Sequence, residues 1–231
     1  MRPPDLFIGA EGGSSPLRES NHRIANNLMT IATMLRYQSR QLTKIGESFS
    51  VDEVREILNG VGRRIELVSR LHRRLAEPVA PDMLNLSPYL NDVAETAIDS
   101  LTAPDEVALE PISGDMCPVR ANQALLIGLI VGELVTNAVK SAREAGVGSK
   151  LKLTCGPADG GIEIALASDG AGPSEGYDPE RDSGFGLSVV TLLVGQLKAT
   201  LTFQTGVEGL MARLLVPTGL DLAELDAAGE A

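Results

Sequence analysis

At 231 residues the chain can hold one or two compact domains, and 43% hydrophobic residues suffice for real cores. Aromatics at 3% and the lack of tryptophan leave Leu, Ile, Val and Ala to fill them. A net charge of −11 argues against nucleic acid or an anionic membrane surface as the main partner.

Residues 1–14 are rich in Pro and Gly and read as a loose lead-in. Ser15-Pro16 is a good helix opening, because serine caps free N–H groups and proline at the first helical position has none to lose. Beyond it Ile24, Leu28, Ile31, Leu35 and Leu42 fall on alternating four- and three-residue steps, an apolar seam of the kind that packs lengthwise on partner helices. His22 lies off that seam, with Glu19 one turn before it and Asn26 one turn after it on the same face. After a polar turn at 43–50, Val54, Leu58, Val61, Ile65, Val68 and Leu75 repeat the rhythm, so a second seam helix is expected from Val51 to Glu77. Two seam helices on a short loop make an antiparallel hairpin at 15–80. A single hairpin leaves apolar surface uncovered, and pairing two copies into a four-helix bundle is the simple solution, so a homodimer is expected. A hairpin packed on its own C-terminal domain is the alternative. His72, near the end of the second helix, reads as a surface residue without a catalytic role.

Pro78 to Asn85 reads as a linker, and a second domain is expected at 81–218, with an acidic tail at 219–231. Leu90, Val93, Ala97, Ile98 and Leu101 mark a helix opening near Ser87-Pro88, and Val107 to Ile112 a strand. A long helix follows from Asn122 to Glu144. Strands are expected at Lys150–Cys155 and Ile162–Ala167, a helix at Gly186–Leu197, and strands at Ala199–Gln204 and Leu210–Val216. The expected fold is α+β: the helical hairpin, then an α/β sandwich whose mixed sheet is covered by helices. Cys117 and Cys155 show no metal or redox spacing and sit in apolar segments, as buried thiols of a reducing cytosol would. The longest apolar run, Leu125 to Val131, is too short to span a bilayer, and no signal-peptide pattern precedes the first helix. A cytoplasmic protein without membrane insertion is expected.

Three features of the second domain carry chemistry. Glu133, Asn137 and Lys140 stand at i, i+4 and i+7, one polar stripe on an otherwise apolar helix. A carboxylate and an amide suit a hard cation and an ammonium suits phosphate, although a solvated acid–base face has the same pattern. Ser168-Asp169-Gly170-Ala171-Gly172 ends a strand, where glycine lets backbone approach a ligand closely. Ser183-Gly184-Phe185-Gly186-Leu187 opens a helix, whose exposed N–H groups and dipole attract anions. Between these two, Pro173 to Asp182 has the length and polarity of a lid.

With these residues in order, the stretch from Glu19 to Pro217 resembles bacterial sensor histidine kinases. The subfamily is the one whose phosphoacceptor box reads Glu-x-x-His-Arg-x-x-Asn-Asn-Leu, here Glu19, His22, Arg23, Asn26, Asn27 and Leu28. The C-terminal half resembles the Bergerat-type ATP-binding domain shared with gyrase-type ATPases and some chaperones. Glu133, Asn137 and Lys140 match its N box, Gly170 and Gly172 its first glycine box, and Gly184 and Gly186 its second. The resemblance implies ATP as phosphoryl donor, Mg2+ held through Asn137, Lys140 near the phosphates and Glu133 assisting. It implies in-line transfer to His22, with Glu19 orienting the imidazole or taking its proton, and onward transfer to an aspartate of a response-regulator receiver. Asn26, one turn along, is placed to orient a water for a reverse phosphatase reaction.

Two departures stand out. Ser168 occupies the position where the family carries the aspartate that recognises adenine, at a loss of about 1–3 kcal/mol of binding, and Asp169 beside it is a possible substitute. The short lead-in also leaves no room for a sensor module. Both favour an alternative, an ATP-independent histidine phosphotransferase with a degenerate ATP domain. A non-catalytic dimeric scaffold and a serine/threonine anti-sigma kinase are more distant readings.

Overall fold

A computed structural model of the chain describes residues 28–36, 39–40, 50–75, 83–102, 107–112, 117–146, 149–169, 185–206 and 209–217. Glu19, His22 and Asn26, the segment from Gly170 to Gly184, and the acidic tail lie outside the described residues. Residues 28–36 form helix α1. There follow α2 (Val51–Leu75), β1 (Met83–Asn85), α3 (Leu86–Asp99), β2 (Val107–Glu110), β3 (Pro118–Arg120) and α4 (Ala121–Ala145). β4 (Ser149–Ala158), β5 (Gly161–Ser168), α5 (Phe185–Gln196), β6 (Thr200–Gly206) and β7 (Gly209–Pro217) complete the order.

Five strands form one mixed sheet in the order β2-β4-β5-β7-β6. β2 pairs with β4 in parallel and every other ladder is antiparallel. Side chains on successive strand residues point to opposite faces, and the sequence uses this to separate core from solvent. In β4, Leu151, Leu153 and Cys155 are buried while Lys150 and Lys152 face out. The outer face is laced by ion pairs across neighbouring strands, Lys152–Glu110 at 3.6 Å and Arg213–Glu163 at 3.0 Å. Helices α3, α4 and α5 supply the other side of the core, including Leu90 and Val93 of α3, Ile127 and Ile130 of α4, and Val190 and Leu193 of α5. The sandwich expected from the sequence is therefore present, with its helical layer on one face.

Helix α4 is central to that layer. It is long and apolar enough to cross a membrane by length and composition, but its apolar surface is largely buried within the fold. Gly146 ends it in the left-handed conformation (φ 66°), and its N–H reaches back to the Ala142 and Arg143 carbonyls. Helix α3 comes so close that a Cβ on Gly128 would lie 2.8 Å from Cε1 of the Tyr89 ring, which is itself fully enclosed.

The structure corrects the linker reading of Pro78 to Asn85. Met83–Asn85 is a strand, paired antiparallel with β3, so that Met83 stands opposite Arg120. Asn85 extends this ladder by accepting the Cys117 N–H at 3.2 Å on Oδ1, and Leu86 N–H donates to the Cys117 carbonyl at 3.0 Å. Three-residue strands are too short to show a period, and their pairing is non-local, so the sequence offers no signal for them. Cys117 and Cys155 are both buried free thiols. Burial, and then the adjoining Cys117 thiol, push the Cys155 thiol up to about 12.

The seam helices are amphipathic in two directions. On α1, Ile31 and Met34 are buried whereas Leu28 and Leu35 of the expected seam stay exposed. On α2, Gly60, Arg64 and Leu67 turn inward toward α3 and α4, while Val54, Leu58 and Ile65 face out. Part of the seam, Leu28 and Leu35 of α1 with Val54, Leu58 and Ile65 of α2, is thus exposed among the described residues, and a different face of α2 packs on α3 and α4.

Replacing Gly128 by alanine forces the Tyr89 ring and α3 away from α4. The expected loss is about 1–3 kcal/mol of stability, read as a lower urea midpoint at constant m-value. An unchanged midpoint would mean that the α3–α4 contact is loose.

Candidate functional site

The polar stripe on α4 is not a solvated face. Glu133 is only 7% exposed, and Asn137 and Lys140 are half-buried further along the helix. A carboxylate in such surroundings needs a counter-charge or strong donors. Arg64 of α2 supplies both. Its Nε donates to Glu133 Oε1 at 3.0 Å, and its Nη2 reaches the same oxygen at 2.9 Å. The guanidinium is as buried as the carboxylate, at 5% and 8% side-chain exposure. Removing one partner of such a pair strands the other charge in the interior, at a loss of about 3–5 kcal/mol. The pair joins residues 69 positions apart and bridges the hairpin to the second domain.

The other carboxylate oxygen has a different neighbour. A Cβ on Gly186 would lie 2.7 Å from Glu133 Oε2 and 3.6 Å from Asn137 Oδ1. Two side-chain oxygens thus converge on the backbone at the start of α5, and a side chain at Gly186 would press on the Glu133 carboxylate. Glu133, Asn137 and Gly186, taken from two separate sequence motifs, are neighbours in space. The oxygens suit a hard cation, and the opening turn of α5 offers N–H groups to an anion. By their chemistry these residues fit a magnesium–phosphate group: Asn137 would hold the cation and Lys140 would face phosphate charge. Gly184, Gly170 and Gly172 lie outside the described residues.

Ser168 and Asp169 stand at the end of β5. Ser168 is buried, with its hydroxyl 3.1 Å from that of Ser149 at the start of β4. Asp169 is exposed, and its Oδ1 accepts the Lys150 N–H at 2.5 Å and lies 3.4 Å from the Ser149 hydroxyl. The Asp169 N–H returns to the Lys150 carbonyl at 3.3 Å. Asp169 is therefore anchored along the β4 edge, and the inward position is held by Ser168. The buried hydroxyl pair retains hydrogen-bonding groups where the adenine-recognising aspartate was expected.

Two residues of this arrangement are absent from the sequence reading. Ser149 is the first inward position of β4, one residue before the expected strand start. Arg64 stands among exposed seam residues, and the only sequence hint was the small and apolar pair Gly60 and Leu67 on its own helix face, four residues before and three after it.

Residues 19–101 match the HisKA_2 family model, described as histidine kinase. The chain is 26% identical over 206 residues to the sensor histidine kinase PdtaS of Mycobacterium tuberculosis, covering 88% of the chain and 39% of that relative. It is likewise 26% identical over 206 residues to the blue-light-activated histidine kinase 2 of Erythrobacter litoralis, covering 87% of the chain and 56% of that relative. The chain thus spans about two fifths to just over half the length of these relatives. Among solved structures, the histidine kinase domain of the Erythrobacter litoralis EL346 blue-light-activated kinase shares the fold with a TM-score of 0.65 at 23% identity, covering 90% of the chain and 96% of that domain. The longer EL346 kinase aligns with a TM-score of 0.70 at 22% identity over 94% of the chain and 64% of its own. A histidine kinase family model thus matches residues 19–101, and most of the chain is similar in sequence and in fold to such kinases.

Proposed function

We propose that the chain is an ATP-dependent protein histidine kinase that phosphorylates itself on His22 and passes the phosphoryl group to an aspartate of a response-regulator receiver. The observation that carries this reading is the convergence of Glu133 Oε2 and Asn137 Oδ1 on Gly186 at the opening of α5, a polar cradle of cation-binding oxygens beside a helix N-terminus. Asn137 would hold a magnesium ion, whose charge would offset that of the phosphates, and Lys140 would add a second positive charge. The Ser168 hydroxyl offers the adenine a neutral hydrogen bond in place of a charge-assisted one. The neutral imidazole of His22 accepts the phosphoryl group in line, and Glu19 orients the ring or takes its proton. Asn26 orients a water for the reverse, phosphatase reaction. The buried thiols fit a reducing cytoplasm as the setting.

A homodimer through the hairpin accompanies this reading. Leu58 is 64% exposed and Ile65 51%, on the α2 face turned away from the second domain. Apolar residues repeating along a helix face are unstable toward water, and a second copy of the same seam covers them in a four-helix bundle.

Two measurements test the proposal. Purified protein incubated with magnesium and γ-labelled ATP is expected to take up acid-labile label, and His22→Ala and Asn137→Ala to take up none. Absence of label and of nucleotide binding in the wild type, with label on His22 only from a phosphorylated receiver, would instead make the chain a phosphotransferase. In sedimentation, the wild type is expected as a dimer and Leu58→Glu/Ile65→Glu as a folded monomer. A wild type that stays monomeric at micromolar concentration contradicts the seam assignment.

A further inference from the structure

We propose that Arg64 of the hairpin is a positioning residue for phosphoryl transfer, holding Glu133 by one oxygen so that the other is presented to the opening of α5. The inference rests on the ATP-dependent reading above.

The contact geometry distinguishes this role from that of a simple structural pin. A guanidinium that only neutralises a buried carboxylate gains most by engaging both oxygens in a parallel fork. Here Nε and Nη2 both go to Oε1, at 3.0 and 2.9 Å, and Oε2 is left facing Gly186. With Oε1 fixed from α2 and the helix fixed in the core, Glu133 cannot swing its second oxygen away from the cradle. The crevice beside the pair, lined by Leu67 of α2, Val93 and Thr96 of α3, and Leu129 and Thr136 of α4, has a volume of about 40 Å³. Such a space is water-sized, and the link from Arg64 to the opening of α5 runs through Glu133. An apolar pair in place of both Arg64 and Glu133 would pack at least as favourably as the buried ion pair does, and the charged pair therefore calls for a role beyond docking. The arrangement makes the geometry of the ATP site depend on how the hairpin is seated, because α2 contributes the donor and α4 the carboxylate.

The test compares Arg64→Met, Arg64→Lys, Glu133→Gln and the Arg64→Met/Glu133→Gln double variant with the wild type. Initial rates of autophosphorylation are measured against ATP concentration, and thermal unfolding of each protein is followed without nucleotide. Arg64→Met is expected to lower the saturated rate about tenfold or more while KM for ATP changes less than about threefold, with Glu133→Gln similar and the double variant no slower than the slower single one. Arg64→Lys, which keeps the charge but not the paired donors, is expected to fall between. Without nucleotide, the loss in melting temperature in the double variant is expected to be smaller than the two single losses together. A folded Arg64→Met with lowered melting temperature but wild-type saturated rate would reduce Arg64 to a structural pin, and multiplicative rate losses would make the two residues independent. Either result overturns the inference. Should Arg64→Met fail to fold, Arg64→Lys decides: a reduced saturated rate at unchanged KM supports the inference and a wild-type rate overturns it. A wild type that neither binds nor uses ATP removes the ATP-dependent reading and this inference together, whereas unaltered variants of an active wild type remove this inference alone.

Discussion

Glu133 lies in the apolar body of a helix buried against a sheet and three other helices, and a charge in that position persists only beside a counter-charge. The counter-charge comes from Arg64, on a helix that sequence periodicity assigns to a different domain. Much of the molecule's organisation follows from this one requirement. α2 must lie against α3 and α4 with its Gly60–Arg64–Leu67 face inward, and the carboxylate must then turn its second oxygen toward α5. The position facing that oxygen has to be glycine.

The same constraint gives α2 two partners on two faces. The inward face is committed to the second domain of its own chain. The seam of Val54, Leu58 and Ile65 points the other way and remains available to a second copy. Packing on the own domain and pairing with another hairpin, which look like competing uses of one apolar helix, are compatible because they use different stripes. A helix so placed links its own seating to the carboxylate beside the opening of α5, since a small displacement of α2 moves the donor on which Glu133 depends.

The sequence reveals the elements that are long and periodic. The bounds expected for α2 and α4 lie within two residues of those observed, and the strands expected at Lys150–Cys155, Ile162–Ala167 and Leu210–Val216 fall inside β4, β5 and β7. It also assembles the polar stripe and the glycine-led helix as parts of one site, and Glu133, Asn137 and Gly186 are indeed adjacent. What it does not reveal is non-local. The three-residue strands β1 and β3 have no period to detect, and Arg64 finds Glu133 across 69 residues by tertiary packing alone. The Ser149–Ser168 hydroxyl contact is equally invisible, since its partners lie on neighbouring strands 19 residues apart.

Ser168 is the point on which the account turns, because a neutral hydroxyl stands where a charge-assisted bond to adenine was expected, while Asp169 is tied along β4. The most direct measurement is a calorimetric titration of the full chain with a non-hydrolysable ATP analogue in the presence of magnesium, repeated with the corresponding guanine nucleotide. The account predicts saturable binding of one adenine nucleotide per chain and weaker binding of the guanine analogue. Absence of saturable heat with the adenine analogue, under conditions where the protein is folded, would contradict it.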